Sequence, residues 1–155
     1  MTQRAEQEAA VHDPLRAAQA ELEILRMERT QLPDQYRAAL AEAHAEDMIA
    51  LRRQAEELDE RIKAAAVAVA LAAVAQQEAA VAAAEADLQR AAAVHPQPVD
   101  IQGLRPAHMR GALESNQAFV DNRRRTALHE RHEAQQHLAQ ARARVQALVA
   151  APVPF

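Results

Sequence analysis

The sequence predicts an all-α protein, either a long-helix antiparallel coiled-coil hairpin or an elongated three-helix arrangement. Residues 34–94 contain no proline and no glycine, so no strong helix breaker interrupts them. Alanine supplies 41 of the 155 residues, and this composition is typical of long helices and coiled coils. Apolar residues also recur at heptad spacing, which indicates helices that pack along narrow seams. A helix over residues 34–94 would be about 90 Å long.

Prolines divide the chain into five predicted segments. Asp13 and Pro14 indicate an N-cap followed by a proline in the first turn of a helix. Pro33 and Asp34 repeat this start signal and predict a tight turn before the long helix, with a kinked continuous helix as the alternative. The predicted segments are an N-terminal arm (1–13), a helical hairpin with a long central helix (14–94), a Pro/Gly-containing connector (95–112), a C-terminal helix (113–150) and an extended tail (151–155).

Each predicted helix has its own apolar seam. In the long helix, an eleven-residue spacing gives way to a seven-residue spacing, which predicts a change of helix partner near residues 62–67. The first seam comprises Leu15, Ala18, Leu22, Leu25, Arg29 and Leu32. The long helix has Leu40, Leu51 and Ile62, with Asp47, Leu58 and Val69, at eleven-residue spacing, then Val67, Val74, Val81 and Leu88 at seven. The last helix has Leu113, Val120, Ala127, Ala134, Ala141 and Leu148, with Leu138 and Val145 in the alternate layer.

The connector carries further local signals. Pro106 and Gly111 predict the start and the end of a short helix, and Gly103 allows a turn. Ser115 or Asn116 can cap the C-terminal helix that follows.

The composition argues against an enzyme. The chain has two Phe, one Tyr and no Trp or Cys, so it lacks the residues for a thick core, a disulfide or a thiolate metal site. No phosphate-binding loop and no nucleophile motif occurs in it. We therefore expect a non-enzymatic protein without a cofactor, located in the cytoplasm or within a particle assembled inside a cell.

Histidines in the last helix form one metal-like cluster. His129, His132 and Glu133 can share one helical face, with His137 nearby. The spacing lacks the two histidines four residues apart, with a glutamate between them, of the metalloprotease motif. The favoured interpretation is a solvated helix surface and no metal.

Arginines in the last helix allow contact with nucleic acid. Residues 1–100 carry 10 basic and 18 acidic side chains, whereas residues 101–155 carry 8 and 4. No aromatic residues are interleaved to stack on bases, and pairing with acidic helices explains the arginines equally well. The candidate contacts are Arg123, Arg124, Arg125 and Arg131.

The resulting hypothesis is a structural or scaffolding protein that acts as a repeated subunit of a larger assembly, such as a viral particle. Its expected partners are protein chains, as a homo-oligomer or a multi-chain assembly. The alternative is an adaptor that contacts nucleic acid through its C-terminal helix. A membrane span is disfavoured because the uncharged run 64–75 covers about 18 Å, against about 30 Å of bilayer hydrocarbon.

Overall fold

The computed structural model describes residues 13–96 and 106–152. These residues form three helices and no strand: α1 (Pro14–Ala41, 28 residues), α2 (Ala45–Ala93, 49 residues) and α3 (Pro106–Ala150, 45 residues). The predicted all-α class is therefore confirmed. The predictions for most of the N-terminal arm, for Gly103 and for the end of the tail lie outside the described residues.

α1 begins where the sequence indicates. Asp13 is its N-cap, with extended backbone angles (φ −81°, ψ 103°), and Pro14 follows in the first turn. The Asp13 Oδ1 atom accepts a hydrogen bond of 3.1 Å from the backbone N–H of Leu15. This bond satisfies one of the donors that a helix leaves unpaired at its start.

Replacing Asp13 by alanine should lower the free energy of unfolding by about 1 kcal/mol, because the cap is lost. Urea denaturation followed by circular dichroism measures the change. Asp34→Ala is a suitable control, because Asp34 lies inside α1 and only forms an exposed ion pair with Arg37. An equal loss in both variants would mean that charge rather than capping is responsible.

The hairpin turn predicted at Pro33 is wrong, because α1 continues through this proline to Ala41. An internal proline removes one helical hydrogen bond, but it need not end a helix whose packing continues beyond it. The chain reverses at Glu42, Ala43 and His44 instead, with Ala43 in the left-handed region at φ 56°. The long helix consequently begins at Ala45 and measures about 74 Å rather than 90 Å.

Backbone hydrogen bonds fix this turn. The N–H of His44 donates to the carbonyl of Ala39 over 3.1 Å, and the N–H of Ala43 donates to Leu40 over 3.2 Å. These two bonds form a Schellman motif, which normally has glycine at the left-handed position. Alanine at this position pays a steric cost that glycine avoids.

The variant Ala43→Gly should therefore be more stable than the natural chain by about 0.5–1 kcal/mol. The same substitution at Ala50, an exposed position inside α2, should destabilise by about 1 kcal/mol. Paired thermal unfolding curves test the two opposite signs. If both variants lose stability, the turn does not hold Ala43 in the left-handed conformation in solution.

The described residues of the first of two compact units are 13–75 and 141–152. Each member of the predicted α1 seam is buried or half-buried. The eleven-residue pattern predicted for the start of α2 is met only in part. Leu51, Leu58, Ile62 and Val69 are buried or half-buried, but Leu40 is 57% exposed and Asp47 is exposed. The buried positions at the start of α2 alternate in spacings of three and four. The core consists of Leu22, Leu25, Leu32, Leu58 and Ala65, flanked by Leu51, Ala55, Ile62, Ala66 and Val69.

Within this unit, α2 contacts both the hairpin core and the residue that follows α3 within the same stretch, residues 63–69. Val69 still packs against the hairpin core, and Lys63 Nζ donates to the carbonyl of Ala151 over 2.5 Å, just after α3 ends. α2 passes through this stretch without a break. The predicted sharp change of partner near 62–67 is therefore replaced by a stretch that both partners share.

The second unit contains residues 76–140. Val81 and Leu88 lie on a half-buried face of α2. The buried residues of this unit include Ala91 on α2, and Val120 and Ala127 on α3. α3 begins at Pro106 and continues through Gly111. The prediction of a short helix that ends at Gly111 is therefore wrong. So are the predicted start of the C-terminal helix at residue 113 and its predicted cap at Ser115 or Asn116. The partly buried positions before Val120 are spaced by four residues rather than seven. Leu113 therefore lies outside the seam and is 54% exposed.

Candidate functional site

The predicted seam residues lie inside the chain's own helix contacts. Apart from Leu40, Asp47 and Leu113, which are exposed, the predicted seam positions are buried or half-buried, which is typical of residues that hold helices of one chain together. The surfaces that are available to neighbouring chains therefore lie on the opposite faces of the helices. The predicted set is Leu15, Leu22, Leu25, Leu51, Leu58, Ile62, Val74, Val145 and Leu148 in the first unit, and Val81, Leu88, Val120 and Leu138 in the second.

One ion pair crosses the hairpin of the first unit. Arg29 Nε and Nη2 donate to the two carboxylate oxygens of Asp59 over 2.8 and 3.1 Å. The side chains are 34% and 13% exposed. The hydrogen bonds to Asp59 raise the pKa of Arg29, against the opposing effect of its burial. This fork-shaped contact fixes the register of α1 against α2.

The sequence placed Arg29 in the α1 seam but did not identify Asp59 as its partner. Asp59 lies in an acidic cluster with Glu56, Glu57 and Glu60, which resembles ordinary surface decoration. A turn assumed at Pro33 also gives the wrong register between the helices. A turn at residues 42–44 would have placed the two side chains opposite each other.

The candidate nucleic-acid arginines do not form one surface. Arg124 is half-buried and donates from Nη2 to the carbonyls of Ala92 and Val94, each over 3.2 Å, so it caps the end of α2. Arg131 is also half-buried, whereas Arg123 and Arg125 are exposed. Arg124 therefore stabilises the helix pair of the second unit.

The histidine cluster lies on the surface of α3. His129 Nε2 is 3.3 Å from Glu133 Oε1, and these side chains are 70% and 55% exposed. His132 Nε2 lies 2.9 Å from the amide nitrogen of Gln136. Among the described residues, no group of three or more His, Cys, Asp or Glu side chains could hold a metal ion.

Two open clefts flank the hairpin turn in the first unit, with volumes of about 350 and 560 Å³. His44 Nδ1 lies in the first, 3.4 Å from Glu42 and 3.2 Å from Asp47. The second includes Tyr36 and Arg37. In the part of the chain that the structure describes, no polar or charged residue is buried, so neither cleft has the enclosed polar groups of a typical small-molecule site.

α2 also contains a stretch that is long and apolar enough to cross a membrane by length and composition. Only a small part of that stretch is buried. Most of that stretch is therefore not buried by the described helices.

Comparison with protein-family models, with curated proteins and with solved structures finds no match for this chain.

Proposed function

We propose that this chain is a non-enzymatic structural or scaffolding subunit, present in several copies in a larger assembly such as a viral particle. The observation that carries the proposal is the exposure of large apolar side chains on all three helices. Each of these side chains is at least half exposed, and apolar side chains that lie together on a surface are typical of protein–protein contacts. They are Ile24, Met27, Leu40, Ile49, Leu71, Leu113, Phe119, Leu128 and Val149.

The composition of the core supports the same proposal. The buried apolar residues are leucines, one valine and alanines, without an aromatic side chain in the described ranges. Alanine contributes only a small part of the roughly 1.5–3 kcal/mol that a fully buried larger side chain provides. Association with neighbouring copies would supply further burial, and with it further stability.

The mechanism of such a subunit is mechanical. α2 sets a length of about 74 Å, and the Arg29–Asp59 pair holds the hairpin in one register. Since the helix seams are occupied within the chain, the outward helix faces remain for neighbours. A viral particle is one assembly that uses many copies of a small helical subunit, and the proposal extends to that class.

Mass-resolved light scattering at several salt concentrations tests this function. We expect a mass of several times 17.0 kDa that changes little with salt, because apolar contacts dominate the association. A chain that remains monomeric at every concentration and salt would rule out the scaffolding function.

The alternative is an adaptor that contacts nucleic acid through α3. It is favoured by the exposure of Arg123 and Arg125 and by the excess of basic over acidic side chains in residues 101–155. Light scattering with added DNA or RNA tests it. A monomer that binds DNA and releases it at about 200 mM salt would support the adaptor, and loss of binding in Arg123→Glu/Arg125→Glu would locate the contact.

A further inference from the structure

One of the two clefts of the first unit has a mainly apolar floor. Its volume is about 560 Å³. The aromatic ring of Tyr36 is 43% exposed there, so the cleft is open to solvent in the described part of the chain. We call it the Tyr36 cleft and define its floor as Leu32, Pro33 and Tyr36 from α1 and Leu51 and Ala55 from α2.

The end of α3 points toward the hairpin turn. The unit contains α2 up to residue 75 and α3 from residue 141. Lys63 Nζ donates to the carbonyl of Ala151, just after α3 ends. Val74, eleven residues after Lys63 and on the same side of α2, is half-buried. The last turns of α3 therefore run back along α2 as far as Lys63.

The Tyr36 cleft continues this side of α2 beyond the end of α3. Asp59 and Ala55 precede Lys63 by four and eight residues, so the three side chains share one side of the helix. Arg29, the partner of Asp59, also lines the cleft. A segment that leaves α3 at Ala151 and keeps its direction therefore meets the cleft next.

The length of the following segment matches the distance to the cleft. Ala55 lies eight residues before Lys63, which is about 12 Å along the helix. Residues 152–155 have proline at alternate positions, and four residues in the polyproline II conformation also cover about 12 Å. Phe155 can thus reach the level of Ala55.

We propose that residues 152–155 bind in the Tyr36 cleft of the same chain, with the ring of Phe155 between Tyr36 and Ala55. This contact lies within one copy and is independent of the proposed scaffolding function.

The chemistry of the segment suits this cleft. Proline fixes the backbone of an extended segment, so little conformational entropy is lost when the segment binds a groove lined by an aromatic ring. Phe155 and Tyr36 can pack edge to face, which adds to the gain from their burial. Arg52 lies at the cleft and is 81% exposed, so its remaining N–H groups can donate to the segment's carbonyls.

The segment of the same chain is favoured over that of a neighbouring copy. The contact between Lys63 and Ala151 already holds its beginning about 12 Å from Ala55. A tether of this length gives the segment a high effective concentration at the cleft, whereas a neighbouring copy has to compete from solution.

The fluorescence of Tyr36 tests the contact, because the chain contains one tyrosine and no tryptophan. If Phe155 covers the ring, Phe155→Ala should raise the constant for quenching of Tyr36 by acrylamide by about twofold. Phe119→Ala, at a phenylalanine of α3 that is 61% exposed in the other unit, should leave this constant unchanged. An unchanged constant in Phe155→Ala would overturn the proposal.

Cysteine cross-linking tests the position, since the full chain contains no cysteine of its own. Phe155→Cys/Ala55→Cys should form a disulfide within one chain under mild oxidation. Phe155→Cys/Gln54→Cys is the matched control and should not, because Gln54 lines the cleft on the other side of the hairpin. Non-reducing electrophoresis separates the products. A disulfide that links two chains would assign the cleft to a neighbouring copy, and this result would overturn the proposal, as would equal or absent cross-linking in the two variants.

Failure of this contact and failure of the scaffolding function are distinguishable. A monomeric chain in which Phe155→Ala exposes Tyr36 would keep the contact and rule out scaffolding. An oligomer in which Phe155→Ala changes nothing would do the reverse. Sedimentation velocity identifies a concentration at which all variants have the same mass, so that dissociation does not alter the quenching. Circular dichroism checks that the helices are intact.

Discussion

Replacing Leu25 by alanine is expected to lower the free energy of unfolding by about 2–5 kcal/mol. Leu25 is 2% exposed and is one of the two largest fully buried side chains among the described residues. Its neighbours in the core include Leu22, Leu58 and Ala65. Because several of the surrounding side chains are small, they are poorly able to fill the space that a shortened Leu25 leaves. Urea denaturation followed by circular dichroism at 222 nm gives the measurement.

Ile24→Ala is the matched control for this prediction. Ile24 is the residue before Leu25 in the same helix turn but is 52% exposed, so its truncation should change the stability by about 0.5 kcal/mol in a monomeric sample. Both variants should be compared at a protein concentration where the oligomeric state is the same. Equal losses for Leu25 and Ile24 would show that α1 does not pack through the predicted seam.

Replacing Asp59 by alanine should destabilise the hairpin by about 1–2 kcal/mol. The substitution leaves the guanidinium of Arg29 partly covered and without its carboxylate partner, and such hydrogen bonds to charged groups are stronger than neutral ones. Partial exposure of Arg29 keeps the effect below that of a fully buried pair. Glu57→Ala, at an exposed position on the same helix, provides the control.

A double-mutant cycle separates attraction from desolvation. Arg29→Met/Asp59→Leu replaces the ion pair with apolar side chains, and we expect it to be close in stability to the natural chain. The raised pKa of Arg29 also gives a sign for pH dependence: its contribution is complete below the pKa of the unfolded chain and is lost only as pH rises through the raised value. A double variant as unstable as Asp59→Ala would contradict this account.

Periodicity predicted the helical class and most of the buried faces, because burial follows residue spacing directly. Leu22, Leu25 and Leu58 could be placed in seams without knowing the partner helix. The N-cap at Asp13 was equally readable, since it depends on two adjacent residues. These features are local or nearly local in the chain.

The turn and the start of α3 could not be predicted in the same way. Pro33 carries a strong local stop signal, yet continued packing of Leu32 and Ala39 on either side keeps α1 intact. The actual turn uses Ala43, a residue with no intrinsic preference for the left-handed conformation. Gly111 likewise has the sequence signal of a helix end but lies within α3. Apart from the nearby backbone of α3 itself, no atom of the described residues lies within 4 Å of the position that a β-carbon would occupy at Gly111.

The roles of the arginines also could not be predicted from the sequence. Arg124 and its neighbours form a basic run, and only the position of the α2 carboxyl end shows that Arg124 caps it. Arg29 needed the correct turn before its partner could be found. Side chains that act across two helices require the register between those helices, which spacing within one helix does not contain.

The seven-residue repeat of buried positions in the α1–α2 hairpin has a consequence for how its length can change. Seven residues added to α1 and seven to α2, one insertion on each side of the Glu42–His44 turn, would lengthen the hairpin by about 10.5 Å without rotating either packing face. An insertion in one helix alone would shift every contact beyond it, including the Arg29–Asp59 pair if placed between that pair and the turn. The hairpin can therefore change length only when both helices gain or lose the same number of heptads. Related chains or designed variants should differ in hairpin length by multiples of about 10.5 Å.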